Sequence, residues 1–148
     1  MSRIFTIGYE QATQAQMIDA LKAAGVSLVI DVRAVAASRR PGFSKTILAA
    51  SLKDEGIDYV HLKALGTPKA GREAARAGRI QEMHAIYEDH LTEPEAAMAL
   101  AQAADLAVGR PSALLCYEAD PAGCHRRILT DRLAREPDFQ VVDLLVST

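Results

Sequence analysis

The feature that most constrains the fold of this chain is a nearly all-aliphatic run from Val26 to Val32. Apolar and polar positions do not alternate along it, so neither face of the predicted strand is set aside for water. A strand buried on both faces is typical of a parallel sheet covered by helices. Asp31 and Arg33 then emerge at the carboxyl end of this strand.

Predicted strands and helices alternate along the rest of the chain. The predicted strands cover Arg3–Gly8, Val26–Val32, Ile57–Leu62, Ser112–Tyr117 and Gln140–Leu145. The main predicted helices cover Gln14–Ala24 with Thr13 as N-cap, Ser44–Glu55, Ile80–Leu91, Pro94–Val108 and Cys124–Arg135. This alternation requires crossovers between parallel strands. We therefore expect one α/β domain over residues 1–148, with three α/β/α layers and a mostly parallel five-stranded sheet in the Rossmann-like order 3-2-1-4-5.

Composition narrows the class of protein. The 148 residues fit one domain, and 17 basic against 19 acidic residues argue against bulk coating of DNA, although a local basic patch remains compatible with phosphate binding. The start of the sequence lacks the apolar segment of a signal peptide, and no apolar stretch approaches the ~18 residues of a membrane span. We expect a cytoplasmic protein without membrane contact, whose two cysteines are thiols.

Reactive side chains concentrate between Leu114 and Arg127, where an apolar strand turns into a helix. The loop of such a unit lies at the carboxyl end of the strand, which is where open α/β sheets bind ligands. Gly8–Glu10, Asp31–Arg33 and Cys116–Glu118 all lie at the carboxyl ends of predicted strands. We therefore expect these segments to converge on one pocket, in a crevice between the first and fourth strands.

The residue types in these segments suggest anion chemistry. Cys124, His125 and Arg126 are predicted in the first turn of a helix, where unpaired amides favour anions and a thiol loses its proton more easily. Arginines clamp phosphate or carboxylate groups, and carboxylates transfer protons. The candidate catalytic residues are Glu118, Cys124, His125 and Asp31. The candidate anion-binding residues are Arg33, Ser38, Arg39, Lys45 and Arg126, and the other predicted pocket residues are Tyr9, Cys116 and Asp120.

Structural interpretations compete with these roles. Cys116 ends an apolar run and is more often a small buried hydrophobe than a catalyst. Asp31 with Arg33 or Arg39 fits an internal salt bridge that fixes the loop.

A basic segment containing Arg72, Arg76 and Arg79 has two interpretations. Spacings of this kind usually form a solvated helix face, yet with Lys69 they are also the best candidates for contacts to a polyanion. The sequence leaves open whether they line the pocket.

Cys116, Cys124 and His125 are all usable zinc ligands. The adjacent residues 124 and 125 seldom both reach one ion, and the spacing is unlike that of structural zinc loops. We expect neither a metal nor a cofactor.

The motifs resemble the domain of unknown function 488 family. The resemblance is carried in order by Thr6–Tyr9, Asp31–Arg33, Ser38-Arg39, Pro41–Lys45, Leu65-Gly66 and Cys116-x-Glu118-x-Asp120-Pro121-x-x-Cys124-His125-Arg126. It implies a cytoplasmic bacterial or archaeal α/β domain of uncharacterised activity. Asp31–Arg33 is also similar to rhodanese-type sulfurtransferases and cysteine phosphatases, in which a cysteine begins a loop of five intervening residues that ends at an arginine or its equivalent and cradles the anion. Five intervening residues after Cys116 lead to Ala122 and the basic residue comes only at Arg126, so that cradle is absent here.

Three functions fit these observations. The first is a cytosolic enzyme acting on a phosphate-bearing or other anionic substrate, such as a nucleotide or nucleic acid. The second is a non-catalytic module that binds a nucleotide or nucleic acid. The third is a rhodanese-like sulfurtransferase, which predicts a persulfide on Cys116 or Cys124.

Overall fold

The structure, a computed structural model, describes residues 2–117, 125–134, 139–144 and 146. One sheet contains β1 (Ser2–Gly8), β2 (Leu28–Asp31), β3 (Asp58–His61), β4 (Ser112–Cys116) and β5 (Phe139–Asp143). The helices are α1 (Gln14–Ala23), α2 (Lys45–Asp54), α3 (Lys69–Arg76), α4 (Ile80–Leu91), α5 (Pro94–Gly109) and α6 (Arg126–Ala134), with a short 3-10 helix at Lys63–Leu65. None of the helices in these ranges is long and apolar enough to cross a membrane.

The predicted α/β class is confirmed, but the predicted strand order is correct only in part. All strand pairings are parallel, and the order is β3-β2-β4-β1-β5. The predicted neighbours β3 with β2 and β1 with β4 are confirmed, whereas β4 separates β1 from β2, and β5 pairs with β1 instead of β4. Burial is consistent with this order: every residue of β2 and β4 is buried, as expected of inner strands, while the half-exposed β3 forms an edge.

Apolar residues on the two faces of the sheet form two separate cores. Alternate strand residues explain the division, because Ile4 and Phe5 of β1 point to opposite faces. Helices α1 and α2 cover one face through Met17, Ile18, Leu21, Leu48 and Leu52. Helices α4, α5 and α6 cover the other through Tyr87, Leu91, Ala96, Ala99, Ala103, Ala107, Ile128, Leu129 and Leu133. The predicted three layers are therefore present.

Local sequence signals set several helix boundaries. The predicted N-cap Thr13 is confirmed: its side chain accepts from the Gln16 backbone while the Gln16 side chain accepts from the Thr13 backbone, a complete capping box. Gly78, with φ of 81°, makes the turn that lets α3 and α4 fold against each other. This α3–α4 hairpin reaches the carboxyl edge of the sheet.

Strand register brings three chain segments together at that edge. Gly8 of β1 lies opposite Cys116 of β4, and Asp31 of β2 lies opposite Leu115. The chain leaves β1 and β2 toward one face and leaves β4 toward the other, which opens a crevice at the end of β4. Because β4 lies between β1 and β2, the crevice draws residues from both neighbours.

Candidate functional site

A cavity of about 510 Å³ occupies this crevice. Its walls come from the ends of β1, β2 and β4, from the α3–α4 hairpin and from the residue before α6. The lining residues are Tyr9, Arg33, Ala34, Val35, Thr67, Arg72, Ala75, Arg76, Met83, Cys116, Tyr117 and His125. The structure thus brings the predicted residues Tyr9, Arg33, Cys116 and His125 into one site.

A fully buried ion pair forms the floor beneath the cavity. The Arg33 side chain donates to the Asp31 carboxylate through Nε at 2.9 Å and Nη2 at 2.7 Å, and the Arg33 backbone N–H donates at 3.0 Å. The Tyr59 hydroxyl donates to the same carboxylate. Because Asp31 is completely buried, accepts these four bonds and does not line the cavity, the geometry favours its structural interpretation over proton transfer.

The same network fixes two protonation states. Burial alone would lower the pKa of Arg33, but its hydrogen bonds to Asp31 and the charge of that carboxylate outweigh burial and raise it. Burial, followed by the hydrogen bond to Asp31, raises the pKa of the Tyr59 phenol. Arg33 therefore stays cationic and Tyr59 neutral at physiological pH.

Arg33 also positions an aromatic wall. Its Nη1 donates to the Phe43 carbonyl at 2.7 Å and to the Tyr9 hydroxyl at 3.2 Å. The Tyr9 and Phe43 rings stack with centroids 4.3 Å apart, and Tyr117 meets Tyr9 in a T-shaped contact at 5.3 Å. These are favourable arrangements of aromatic quadrupoles, so the wall is rigid.

Arg40, which the sequence analysis missed, braces this wall from outside. Its guanidinium lies over the rings of Tyr9 and Phe43 and donates to the carbonyls of Tyr9, Glu10 and Ala12. Five guanidinium N–H groups let one side chain bridge several carbonyls in this way. The neighbouring Arg39, which was predicted instead, is exposed.

His125 lies at the inner end of the cavity, where α6 meets β2. Its Nε2 lies 3.0 Å from the Val32 carbonyl oxygen, and its ring packs edge-on against Tyr87 at 5.0 Å. A carbonyl only accepts, so Nε2 carries a proton and donates it to Val32. This contact places His125 beside the end of β2, at the same edge of the sheet as Asp31.

Cys116 lines the cavity at the end of β4 and is almost completely buried. That Cys116 carries a persulfide during sulfur transfer stays a prediction. The other predicted residues of this motif, Glu118, Asp120 and Cys124, lie outside the described residues. Within the described part of the chain no group of three or more His, Cys, Asp or Glu is arranged to hold a metal ion.

Arg126, predicted to bind an anion, does not line the cavity. It is 1% exposed, and its Nη1 donates to the Thr6 hydroxyl at 3.1 Å, which in turn donates to Asp143. This chain of contacts joins α6 to β1 and β5. Arg126 therefore braces the interior behind the sheet edge.

Three further candidates lie in or beside the loop between β2 and α2. The Ser38 backbone N–H donates to the Ser44 hydroxyl at 2.9 Å, and the Ser38 hydroxyl accepts from the Arg40 backbone. Ser38 thus shapes the loop that carries Arg40, while Arg39 and Lys45 are exposed. None of the three lines the cavity.

Two arginines that the sequence analysis left open do line the cavity. Arg72 and Arg76 are four residues apart on α3 and share one helix face. Arg72 Nη1 donates to the Thr67 carbonyl at 2.9 Å, which orients its guanidinium, whereas Arg79 pairs with Glu82 on the surface. The described lining residues include three arginines and neither aspartate nor glutamate.

Gly66 makes the approach of the α3 segment to the β2 loop possible. A Cβ atom on Gly66 would lie 2.3 Å from the backbone nitrogen and Cα of Ala34. No side chain fits this gap, which explains the Leu65-Gly66 motif physically. Ala34 and Thr67 on either side of the contact both line the cavity.

The fold and the site define the chain as a three-layer α/β protein with a cationic, aromatic-walled crevice at the carboxyl edge of a parallel sheet. The family model described as "Domain of unknown function DUF488" matches residues 13–133 of the 148, and the chain belongs to this family. Comparison with curated proteins and with solved structures gives no match.

Proposed function

We propose that this protein is a cytosolic enzyme that binds a phosphate-bearing or other anionic substrate in the cavity at the end of β4. The observation that supports this most is the lining itself, in which Arg33, Arg72 and Arg76 face a space without a described carboxylate. Arg33 is buried, Arg72 is half-buried and Arg76 is exposed at the rim, and an excess of positive charge along a cleft attracts an anion.

The three arginines contribute differently to this attraction. The charge of Arg33 is balanced by Asp31 directly beneath it. Arg72 and Arg76 have no ion pair among the described residues, so they supply the excess positive charge. Planar guanidinium groups recognise phosphate oxygens through paired hydrogen bonds. We therefore assign substrate binding mainly to Arg72 and Arg76.

Proton transfer falls to residues at the inner end of the cavity. His125 lines the cavity with its Nε2 held by the Val32 carbonyl, and histidine is the side chain most often used in general acid–base catalysis. In the sequence Glu118 follows Cys116 by two positions, and Cys124 directly precedes His125. Glu118 and Cys124 therefore keep their proposed roles as proton-transfer group and nucleophile.

Binding is tested by calorimetric titration of the full chain with ribose 5-phosphate. Arg72→Gln and Arg76→Gln each lower the affinity about tenfold or more, because each removes charged hydrogen bonds to the phosphate. The matched control is Arg3→Gln, an exposed arginine at the amino end of β1, which leaves the affinity within twofold. Equal weakening by all three variants, or none by any, would contradict the assignment.

One observation favours the second candidate, a non-catalytic binding module. Asp31, the only proposed catalytic carboxylate among the described residues, is fully engaged in structural hydrogen bonds. Incubation with nucleotides and sugar phosphates, followed by phosphorus and proton NMR, separates the two candidates. The enzyme converts one of these compounds, and His125→Gln slows conversion about a hundredfold or more. Tight binding without any conversion indicates the module.

A further inference from the structure

We infer that the ligand of this cavity is a nucleotide, with its base stacked against Tyr117 and its phosphate held by Arg72 and Arg76. The inference rests on the proposed function, because it uses the same two arginines. It adds the chemical nature of the group to which the phosphate is attached.

Tyr117 supplies the stacking surface. It lines the cavity directly after β4 and is 43% exposed, unlike the buried Tyr9 that it contacts. The two rings meet at 81°, so the contact occupies at most one face of the Tyr117 ring. A half-exposed aromatic ring, held by a second ring at the mouth of a cavity, is the arrangement on which nucleobases stack.

Further lining residues are apolar beyond what a phosphate needs. Val35 is 55% exposed at the cavity, and Ala34, Ala75 and Met83 complete an apolar surface. Val35 and Tyr117 are both large side chains exposed at this cleft, and exposed apolar surface beside a cleft marks ligand contact. A volume of about 510 Å³ falls in the range for a ligand of nucleotide size and exceeds the needs of a phosphate ion.

A nucleotide matches both the arginines and the aromatic and apolar surface of the cavity, whereas simpler anions match only the arginines. A sugar phosphate has no flat π-face for Tyr117, and inorganic phosphate leaves the apolar surface uncovered. Base stacking on an aromatic side chain also tolerates any base. We therefore expect the four common bases to bind with similar affinity.

The experiment is a calorimetric titration of the full chain with adenosine 5′-monophosphate, ribose 5-phosphate and inorganic phosphate. The nucleotide binds at least about fivefold more tightly than ribose 5-phosphate, and Tyr117→Ala removes this difference while Tyr117→Phe keeps it. The matched control is Val108→Ala, an exposed apolar residue outside this cavity, which leaves all affinities unchanged.

The outcomes separate this inference from the proposed function. Equal binding of nucleotide and ribose 5-phosphate, both weakened by Arg72→Gln, overturns the nucleotide and leaves the anion site standing. Failure of all three ligands to bind overturns both. Loss of ribose 5-phosphate binding in Tyr117→Ala would also overturn the inference, since it would mean that Tyr117 acts on the phosphate.

One further titration tells whether the base and phosphate come from a free nucleotide or from a nucleic acid. A single-stranded hexanucleotide carries the same base and phosphate groups as the mononucleotide. Tighter and steeply salt-dependent binding of the hexanucleotide, still sensitive to Tyr117→Ala, identifies nucleic acid as the source. Equal or weaker binding identifies the free nucleotide.

Discussion

Asp31 accepts every hydrogen bond that its position at the end of β2 brings within reach, from the side chain and backbone of Arg33 and from the Tyr59 hydroxyl. A buried pair of this kind adds little net stability when intact, but loss of one partner leaves an unbalanced charge in a low dielectric. The residue therefore acts on the site indirectly, by holding Arg33 and through it Tyr9.

Replacement of Asp31 by Asn tests this structural role. Asp31→Asn lowers the free energy of unfolding by about 3–5 kcal/mol, since Arg33 stays buried without its counter-ion. The matched control is Asp58→Asn on β3, whose pairing with Arg110 is exposed, and which changes stability by less than about 1 kcal/mol. Urea unfolding measures both. If both variants lowered the free energy of unfolding by the same small amount, Asp31 would not have the structural role described here.

Tyr59 gives the same network a pH dependence. Its pKa is raised in the folded chain above the ordinary value of 10.0, so above that pH the unfolded chain loses this proton while the folded chain keeps it. The contribution of Tyr59 to stability is therefore complete below pH 10 and declines as the pH rises further.

Tyr59→Phe removes both the hydrogen bond and this titration. At pH 8 the variant is less stable by about 1–2 kcal/mol, because the Asp31 carboxylate loses a donor. Urea unfolding between pH 8 and 11 should show the difference from the unsubstituted chain shrinking above pH 10. A difference that stays constant or grows over this range would refute the raised pKa.

At the scale of elements, the site depends on how closely the α3–α4 hairpin approaches the β2 loop. Helix α3 carries Arg72 and Arg76, and its approach is set by Gly66 against Ala34. The sequence supplies the relevant pattern, since arginines spaced by four share a helix face. It does not tell which side of that helix meets the sheet, because α3 is short and has few buried residues to orient it.

Gly66→Ala tests this approach. The added methyl group would overlap the Ala34 backbone, so the variant loses about 1–3 kcal/mol of stability and binds ribose 5-phosphate more weakly. Gly109→Ala is the matched control: it meets no atom within 4 Å at the end of α5, and it raises stability by up to about 1 kcal/mol. Thermal unfolding and calorimetry compare the two. Similar behaviour of both variants would show that the gap at Gly66 is not tight.

At the scale of the whole molecule, the sequence predicts the layers better than the strand order. Aliphatic strands alternating with amphipathic helices require parallel pairing and two covered faces, and both are present. A crossover, however, constrains handedness more than it constrains how many strands are skipped. Complete burial does not decide the order either, because β2 and β4 are both fully buried, so the insertion of β4 between β1 and β2 is visible only in the folded sheet.

This difference in order does not move the strand ends apart. Tyr9, Arg33 and Cys116 end strands that meet at one edge in either arrangement. The contacts of Arg126 and Arg40 could not be predicted from the sequence, because they span large separations along the chain, to Thr6 and to the Tyr9 carbonyl. The motifs therefore predict which edge of the sheet carries the reactive residues. The structure then distinguishes the residues that face the cavity from those that support it.

The central claim is that an anion binds between Arg72 and Arg76 at the carboxyl edge of the sheet. The most direct measurement is an NMR titration of nitrogen-15-labelled protein with ribose 5-phosphate. We expect the side-chain Nε–H signals of Arg72 and Arg76 and the backbone amides of Val35 and Tyr117 to shift together, with no change at Arg3. Shifts confined to Arg3 and the amino ends of the strands, with Arg72 and Arg76 unmoved, would contradict the claim.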